Sequence, residues 1–110
     1  MQMQSMSDLE KVLAASRKRP VLVFKHSTSC PISAEAHREW RAFLAGPEAQ
    51  RVDHAWVRVI QERPVSLALA ERVGVVHQSP QALLIKNGKS VWSASHWAIT
   101  AAGLKAAVLR

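Results

Sequence analysis

The chain alternates short apolar blocks with polar breaks marked by proline or glycine, and the spacing inside each block assigns its element. Leu9, Val12 and Leu13 recur at helical spacing within and after Ser7-Asp8-Leu9-Glu10. That tetrad has the form of a capping box, in which the serine oxygen accepts from the amide three residues on while Glu10 reaches back. It predicts a first helix over 7–18, fading at Arg17-Lys18-Arg19 before Pro20. Val21-Leu22-Val23-Phe24 is a continuous apolar run rich in β-branched residues, which predicts a central strand buried on both faces. After a polar turn, Ile32, Ala36, Trp40, Phe43 and Leu44 mark one buried helical stripe that Gly46-Pro47 ends. Residues 55–60 read as a second strand containing Trp56 and Val57. Residues 62–66 then turn the chain into a third helix, with Leu67, Ala70 and Val73 as its face and Gly74 as its stop. Two further apolar runs, 82–85 and 90–93, flank Asn87-Gly88, the strongest short-range signal for a hairpin. Residues 99–109 read as a closing helix with Thr100 as its cap. The order αβαβαββα predicts an α/β protein with a mixed four-stranded sheet flanked by helices, parallel in its front half and antiparallel in its back half.

Length and composition change the picture little. A chain of 110 residues supports one core, so residues 1–110 are expected to form a single domain. No apolar run approaches the roughly 20 residues that cross a bilayer, and no membrane association is expected. The polar start, Met1 to Met6, lacks the basic and apolar regions of a signal peptide, which makes the cytoplasm the expected location. The formal net charge is +7, and no acid follows Arg72, so anionic partners are favoured. The basic residues are scattered singly and match no nucleic-acid-binding motif, so nucleic acid is not an expected partner. A small anionic thiol, or solubility alone, accounts for the charge equally well.

The one cysteine, Cys30, is the candidate for chemistry. It has no internal partner, so any disulfide exchange must use an outside thiol. The order strand, polar turn, Cys30, Pro31, helix places its sulfur at a helix N-terminus, at the carboxyl end of a central strand. Unpaired amides, the helix dipole and the neighbours Lys25 and His26 all favour the thiolate, which is the attacking species. Ser33 stands where a dithiol oxidoreductase carries its second cysteine, so C-x-x-S is a monothiol arrangement. Two readings of Cys30 remain, an inert buried thiol and a nucleophile, and its position favours the second. Ser79-Pro80 precedes the third strand; proline there is ordinarily an edge or turn device. The histidines at 26, 37, 54, 77 and 96 match no standard zinc spacing, and no structural metal is expected. Only His26 is connected to the thiol, and His37 is expected to face solvent. A phosphatase-type C-x5-R loop fails because the arginine position holds Ala36, and the approach to a peroxiredoxin cysteine fails at Val23 and Ser27. The tryptophans are read as packing residues, with Trp40 and Trp56 on core faces.

Lys25-His26-Ser27-Thr28-Ser29-Cys30-Pro31-Ile32-Ser33, followed by Arg63-Pro64-Val65-Ser66, Ser79-Pro80-Gln81 and Lys86-Asn87-Gly88, resembles the monothiol bacilliredoxins of the YtxJ-like family over nearly the whole chain. The resemblance implies a thioredoxin-like fold and a cytoplasmic, stress-linked oxidoreductase that removes bacillithiol from S-bacillithiolated client proteins. Cys30 would be the nucleophile, with Pro31, Ile32 and Ser33 as its frame and His26, Thr28 and Ser29 beside it. Pro80 would be cis, and Ser79-Pro80 would offer the substrate-binding backbone edge. Bacillithiol would be a co-substrate, no bound cofactor would be needed, and a separate bacillithiol-disulfide reductase would close the cycle. The malate carboxylates of bacillithiol would give the basic balance a purpose. Two alternatives stay open: a noncatalytic adaptor on the same fold, and a glutathione-dependent monothiol glutaredoxin-like protein.

Overall fold

A computed structural model describes residues 1–27 and 31–110, and Thr28, Ser29 and Cys30 lie outside the described residues. The first helix, α1, is Met6–Ala15, and the first strand, β1, is Val21–His26. Helix α2 is Pro31–Leu44, β2 is Asp53–Arg58 and α3 is Arg63–Val73. The hairpin strands are β3, Gln81–Lys86, and β4, Lys89–Ser95, and the last helix, α4, is Ala101–Leu109. Short 3₁₀ turns at Pro47–Arg51 and His96–Ala98 join α2 to β2 and β4 to α4.

The strands form one sheet in the order β2-β1-β3-β4. β1 pairs in parallel with β2 and antiparallel with β3, so it is central, as its unbroken apolar run predicts. β4 is an edge strand with alternating exposure. The hairpin turns at Asn87 and Gly88, both at positive φ (52° and 76°), the requirement that makes Asn-Gly the favoured pair for a two-residue turn.

Each helix buries one stripe against the sheet. Leu9, Val12 and Leu13 of α1 join Val65, Leu69 and Val73 of α3 on one face. Ala36, Trp40 and Phe43 of α2 join Leu104 and Ala107 of α4 on the other. Gly74 closes α3 at φ 78°, the left-handed conformation of a helix C-cap, and the Thr100 hydroxyl accepts from the Gly103 amide at 3.0 Å to cap α4.

Several boundaries differ from the sequence expectation. The cap of α1 is Ser5, whose Oγ accepts from Asp8 N at 3.2 Å, while Asp8 Oδ2 accepts from Gln4 N at 2.9 Å. The cap thus sits two residues earlier than Ser7-x-x-Glu10, with Asp8 reaching back to the amide before it, and Glu10 instead pairs with Arg72 across to α3. β2 begins at Asp53, and Ile60 lies beyond it, 58% exposed. On α3 Ala70 and Val73 face inward as expected, but Leu69 joins them in place of Leu67, which faces out. The polar N-terminal segment also has a structural role: Met3 N donates to Trp56 O at 2.8 Å and Trp56 N to Met1 O at 3.0 Å, which covers part of the β2 edge.

Candidate functional site

The candidate site lies at one end of the sheet, where β1 runs out and β3 begins. Lys25 pairs with Gln81 in the β1–β3 register, so the turn leading into α2 and the loop leading into β3 arise side by side. Pro31 is the first residue of α2, a position where a missing amide proton costs nothing and the fixed φ suits the helix. Cys30 immediately precedes it in the chain. The first turn of α2 contains no acid, so its unpaired amides keep their affinity for negative charge.

Of the remaining site residues named from the sequence, Ile32 is half-buried and Ser33 is fully buried. The Ser33 hydroxyl accepts from Ser27 N at 2.8 Å, which ties the start of the turn to the first turn of α2. Ser33 therefore has a local structural role that a small apolar residue could not fill. Thr28 and Ser29, like Cys30, lie outside the described residues.

The Ser79–Pro80 peptide bond is cis. Pro80 is buried, and its carbonyl accepts from His96 N at 3.1 Å. The Ser79 hydroxyl is buried without a hydrogen-bond partner among the described residues. The loop before it is held from below by Gln81 and by Lys25, which the sequence sets beside the thiol and which is instead buried against His77. Gln81 Nε2 donates to Val76 O at 3.1 Å, and Gln81 Oε1 accepts from Gln78 N at 3.4 Å. Lys25 Nζ lies 3.1 Å from His77 Nδ1, and the Lys25 side chain is wholly buried. Burial pushes the Lys25 ammonium down to about 8. Burial, then the charges of Lys25 and Arg63, also lowers His77. A charged lysine can only donate, so the pair requires neutral His77 with Nδ1 as acceptor. The signal was present in the sequence: a lysine continuing a strand buried on both faces is costly to bury unless something receives it.

His26 sits as expected at the end of β1, but His37 does not simply face solvent. The two rings stack with centroids 5.1 Å apart, and both lie on Phe24, at 5.5 and 6.0 Å. The spacing explains this: His37 follows Ser33 by four residues and precedes Trp40 by three, so it shares the inward side of α2. His26 is lowered by burial first, then by His37 and Arg58, against an opposing pull from Glu62. His37 is lowered by burial and by Arg41. Both rings are therefore neutral near pH 7. Arg58, opposite His26 in the β1–β2 register, is held bidentately by Glu62, with a shortest contact of 2.6 Å. Trp56 is half-buried and Trp97 is 67% exposed, so the packing role expected for the tryptophans applies fully only to Trp40.

The family model "Monothiol bacilliredoxin BrxC" matches residues 1–104. The chain belongs to this family. A solved structure described as "A putative oxidoreductase with a thioredoxin fold" is 34% identical, with a TM-score of 0.84, over 100% of this chain and 93% of that one. The thioredoxin of Fasciola hepatica is 23% identical, with a TM-score of 0.75, over 99% and 96% of the two chains. The thioredoxin of Malassezia sympodialis is 18% identical, with a TM-score of 0.76, over 98% and 86%. These two thioredoxins bear on the fold alone. A bacilliredoxin of thioredoxin fold has a thiol-redox role, and the sequence-level fold assignment holds from the order of elements to the cis-proline. Among the described residues no helix is long and apolar enough to cross a membrane.

Proposed function

We propose that this bacilliredoxin removes bacillithiol from S-bacillithiolated client proteins by a monothiol mechanism through Cys30. The observation that carries the reading is the start of α2: the chain's single cysteine directly precedes Pro31, and a buried serine, Ser33, fills the place of a resolving thiol. The helix N-terminus and an acid-free first turn favour the Cys30 thiolate.

In the first step the Cys30 thiolate attacks the bacillithiol sulfur of the client mixed disulfide. The client leaves as a thiolate, and a Cys30–bacillithiol disulfide forms. In the second step the thiolate of a free bacillithiol attacks the bacillithiol sulfur of that adduct, regenerating the Cys30 thiolate and releasing bacillithiol disulfide. The two exchanges together leave Cys30 unchanged. Reduction of bacillithiol disulfide falls to a separate enzyme, so bacillithiol is a co-substrate and the exchange itself calls on no resident cofactor. The Ser79–Pro80 backbone edge, whose peptide bond is cis, would accept the substrate alongside the sulfur. The cycle needs a pool of reduced thiol, which suits the cytoplasm.

Mass spectrometry of a bacillithiolated client mixed with the protein tests the reading. The adduct should leave the client and appear transiently on Cys30, and Cys30→Ala should abolish the transfer. A Cys30→Ala protein that works like wild type, or transfer without any Cys30 adduct, would sink it. Ser33→Cys adds a second check. An introduced thiol one helical turn away should displace bacillithiol within the protein, replacing the adduct by a two-proton mass loss.

A further inference from the structure

A cleft of about 630 Å³ opens between α2 and the β2 edge, on the aromatic side of the sheet. Phe24 and Trp40 lie buried beneath it, and its accessible lining includes Trp56, His26, His37 and Arg41. The half-buried rings make a continuous platform: His26 stacks on His37 at 5.1 Å and meets Trp56 at 5.7 Å, and the buried Phe24–Trp40 stack supports them from beneath. No lining residue is acidic, whereas Arg41, Arg58 and three histidines line it. Arg58 is occupied by Glu62, but Arg41 is exposed and makes no ion pair among the described residues. The size is that of a pocket for a small organic molecule.

The cleft begins at His26, four residues before Cys30, and its long wall is α2, which starts one residue after Cys30. A helix rises about 1.5 Å per residue, so His37 and Arg41 lie roughly 9 and 15 Å along the axis from Pro31. An extended molecule tethered by sulfur at the helix start would meet the stacked imidazoles first and the free guanidinium last. A neutral imidazole can donate to a carboxylate, and a guanidinium binds one bidentately.

We propose that this cleft binds the carboxylate-bearing end of the small thiol carried by Cys30, with Trp56 and the stacked His26 and His37 rings as the platform and Arg41 as the distal anion contact. The proposal rests on the thiol-exchange reading and deepens it, because it assigns specificity for an anionic thiol to residues away from the sulfur and away from the cis-proline edge.

S-methyl bacillithiol, which cannot exchange, separates binding from chemistry. Titrated into the wild type, it should saturate and change the tryptophan fluorescence. Arg41→Glu should weaken that affinity about fivefold or more, the scale expected when an exposed charge contact is reversed. Arg41→Lys should recover much of the loss. Arg17→Glu, the same charge change just beyond α1, should keep wild-type affinity and so excludes a net-charge effect. In the exchange assay Arg41→Glu should raise the bacillithiol concentration for half-maximal release by a similar factor. No saturation in the wild type, or equal affinity in Arg41→Glu, overturns the cleft while leaving Cys30 transfer intact. Arg41-dependent binding without any Cys30 adduct would instead keep the cleft and sink the exchange reading.

Discussion

The two faces of the sheet are built from different materials. Side chains leave β1 alternately, as a strand requires, with Val21 and Val23 entering the α1–α3 face and Leu22 and Phe24 the α2–α4 face. The first face is aliphatic throughout, drawing on Met3, Leu69, Leu83 and Ile85. The second is aromatic, with Phe24, Trp40 and Phe43 buried and Trp56 and Trp92 at its margin. Branched aliphatic side chains interdigitate and close their face so fully that Lys25, next along the strand, is left with no exposed surface. Flat rings stack, and at the β2 edge the stack ends in a cleft. The same strand end thus delivers a buried cation to one side and a ring in an open basic cleft to the other.

Core truncations give the largest effects and test the closed-versus-open contrast directly. Leu69→Ala on the aliphatic face should cost about 2–5 kcal/mol and Phe43→Ala on the aromatic face about 3–5 kcal/mol, measured by urea unfolding. Both residues are fully buried. Trp56→Ala, at the half-buried rim, should cost only about 1–2 kcal/mol, because less of its area leaves water on folding. A Trp56→Ala loss equal to that of Phe43→Ala would mean that the aromatic face is closed after all.

The next effect in size is electrostatic and runs in opposite flanks of the pH curve. Lys25 titrates at about 8 in the folded protein against 10.5 for a free lysine. Between those values the unfolded chain holds the extra proton, so stability rises with pH across that window, by up to about 3 kcal/mol. Raising the pH through 8 relieves a buried charge, and lowering it restores the cost. Lys25→Met should flatten the alkaline rise and be no less stable than wild type at pH 7, since a buried cation is exchanged for an apolar chain of similar size. At acid pH the lowered His26 and His37 of the other face act, together with His77 beside Lys25: stability is lost as pH falls below the ordinary histidine value of about 6.5. His37→Gln should reduce that acid loss and leave the alkaline rise alone. Thermal unfolding from pH 5 to 10.5 checks both flanks, and a single variant that abolished both would show the two faces to be coupled.

The sequence was most legible where one residue type has one physical use. Asn87-Gly88 marked the hairpin, Gly74 the end of α3 and Pro31 the start of α2, because each depends on local backbone chemistry. It was least legible where two candidates share a propensity and tertiary packing chooses between them. Ser5 and Ser7 both suit a cap, and the choice turns on the N-terminal segment, which pairs with Trp56 and so fixes where α1 starts. Leu67 and Leu69 both suit a buried stripe, and only the direction of α3 over the sheet decides. At the candidate site, the monothiol pattern was visible in spacing. A buried Lys25 in need of a partner and an inward His37 left a trace in the pattern, but their partners, His77 and His26, did not, since each pair is brought together only by the sheet register and the crossover.

Helix caps provide the smallest and finest test of the contrast between faces. Ser5 caps α1 from an exposed position, where water can replace a lost acceptor, and Asp8 keeps its own bond to Gln4 N. Thr100 caps α4 from a half-buried position, with Gly103 N as its donor and Ala101 N engaged by Glu39 from α2. Thr100→Ala should therefore cost about 1–2 kcal/mol and Ser5→Ala about 0.5 kcal/mol, while Ser7→Ala, inside the helix, should cost next to nothing. Urea midpoints at unchanged slope measure all three. If Ser7→Ala proved the costlier of the two serine changes, the helix would start where the sequence alone would put it, and the N-terminal strap over Trp56 would have to be released to allow it.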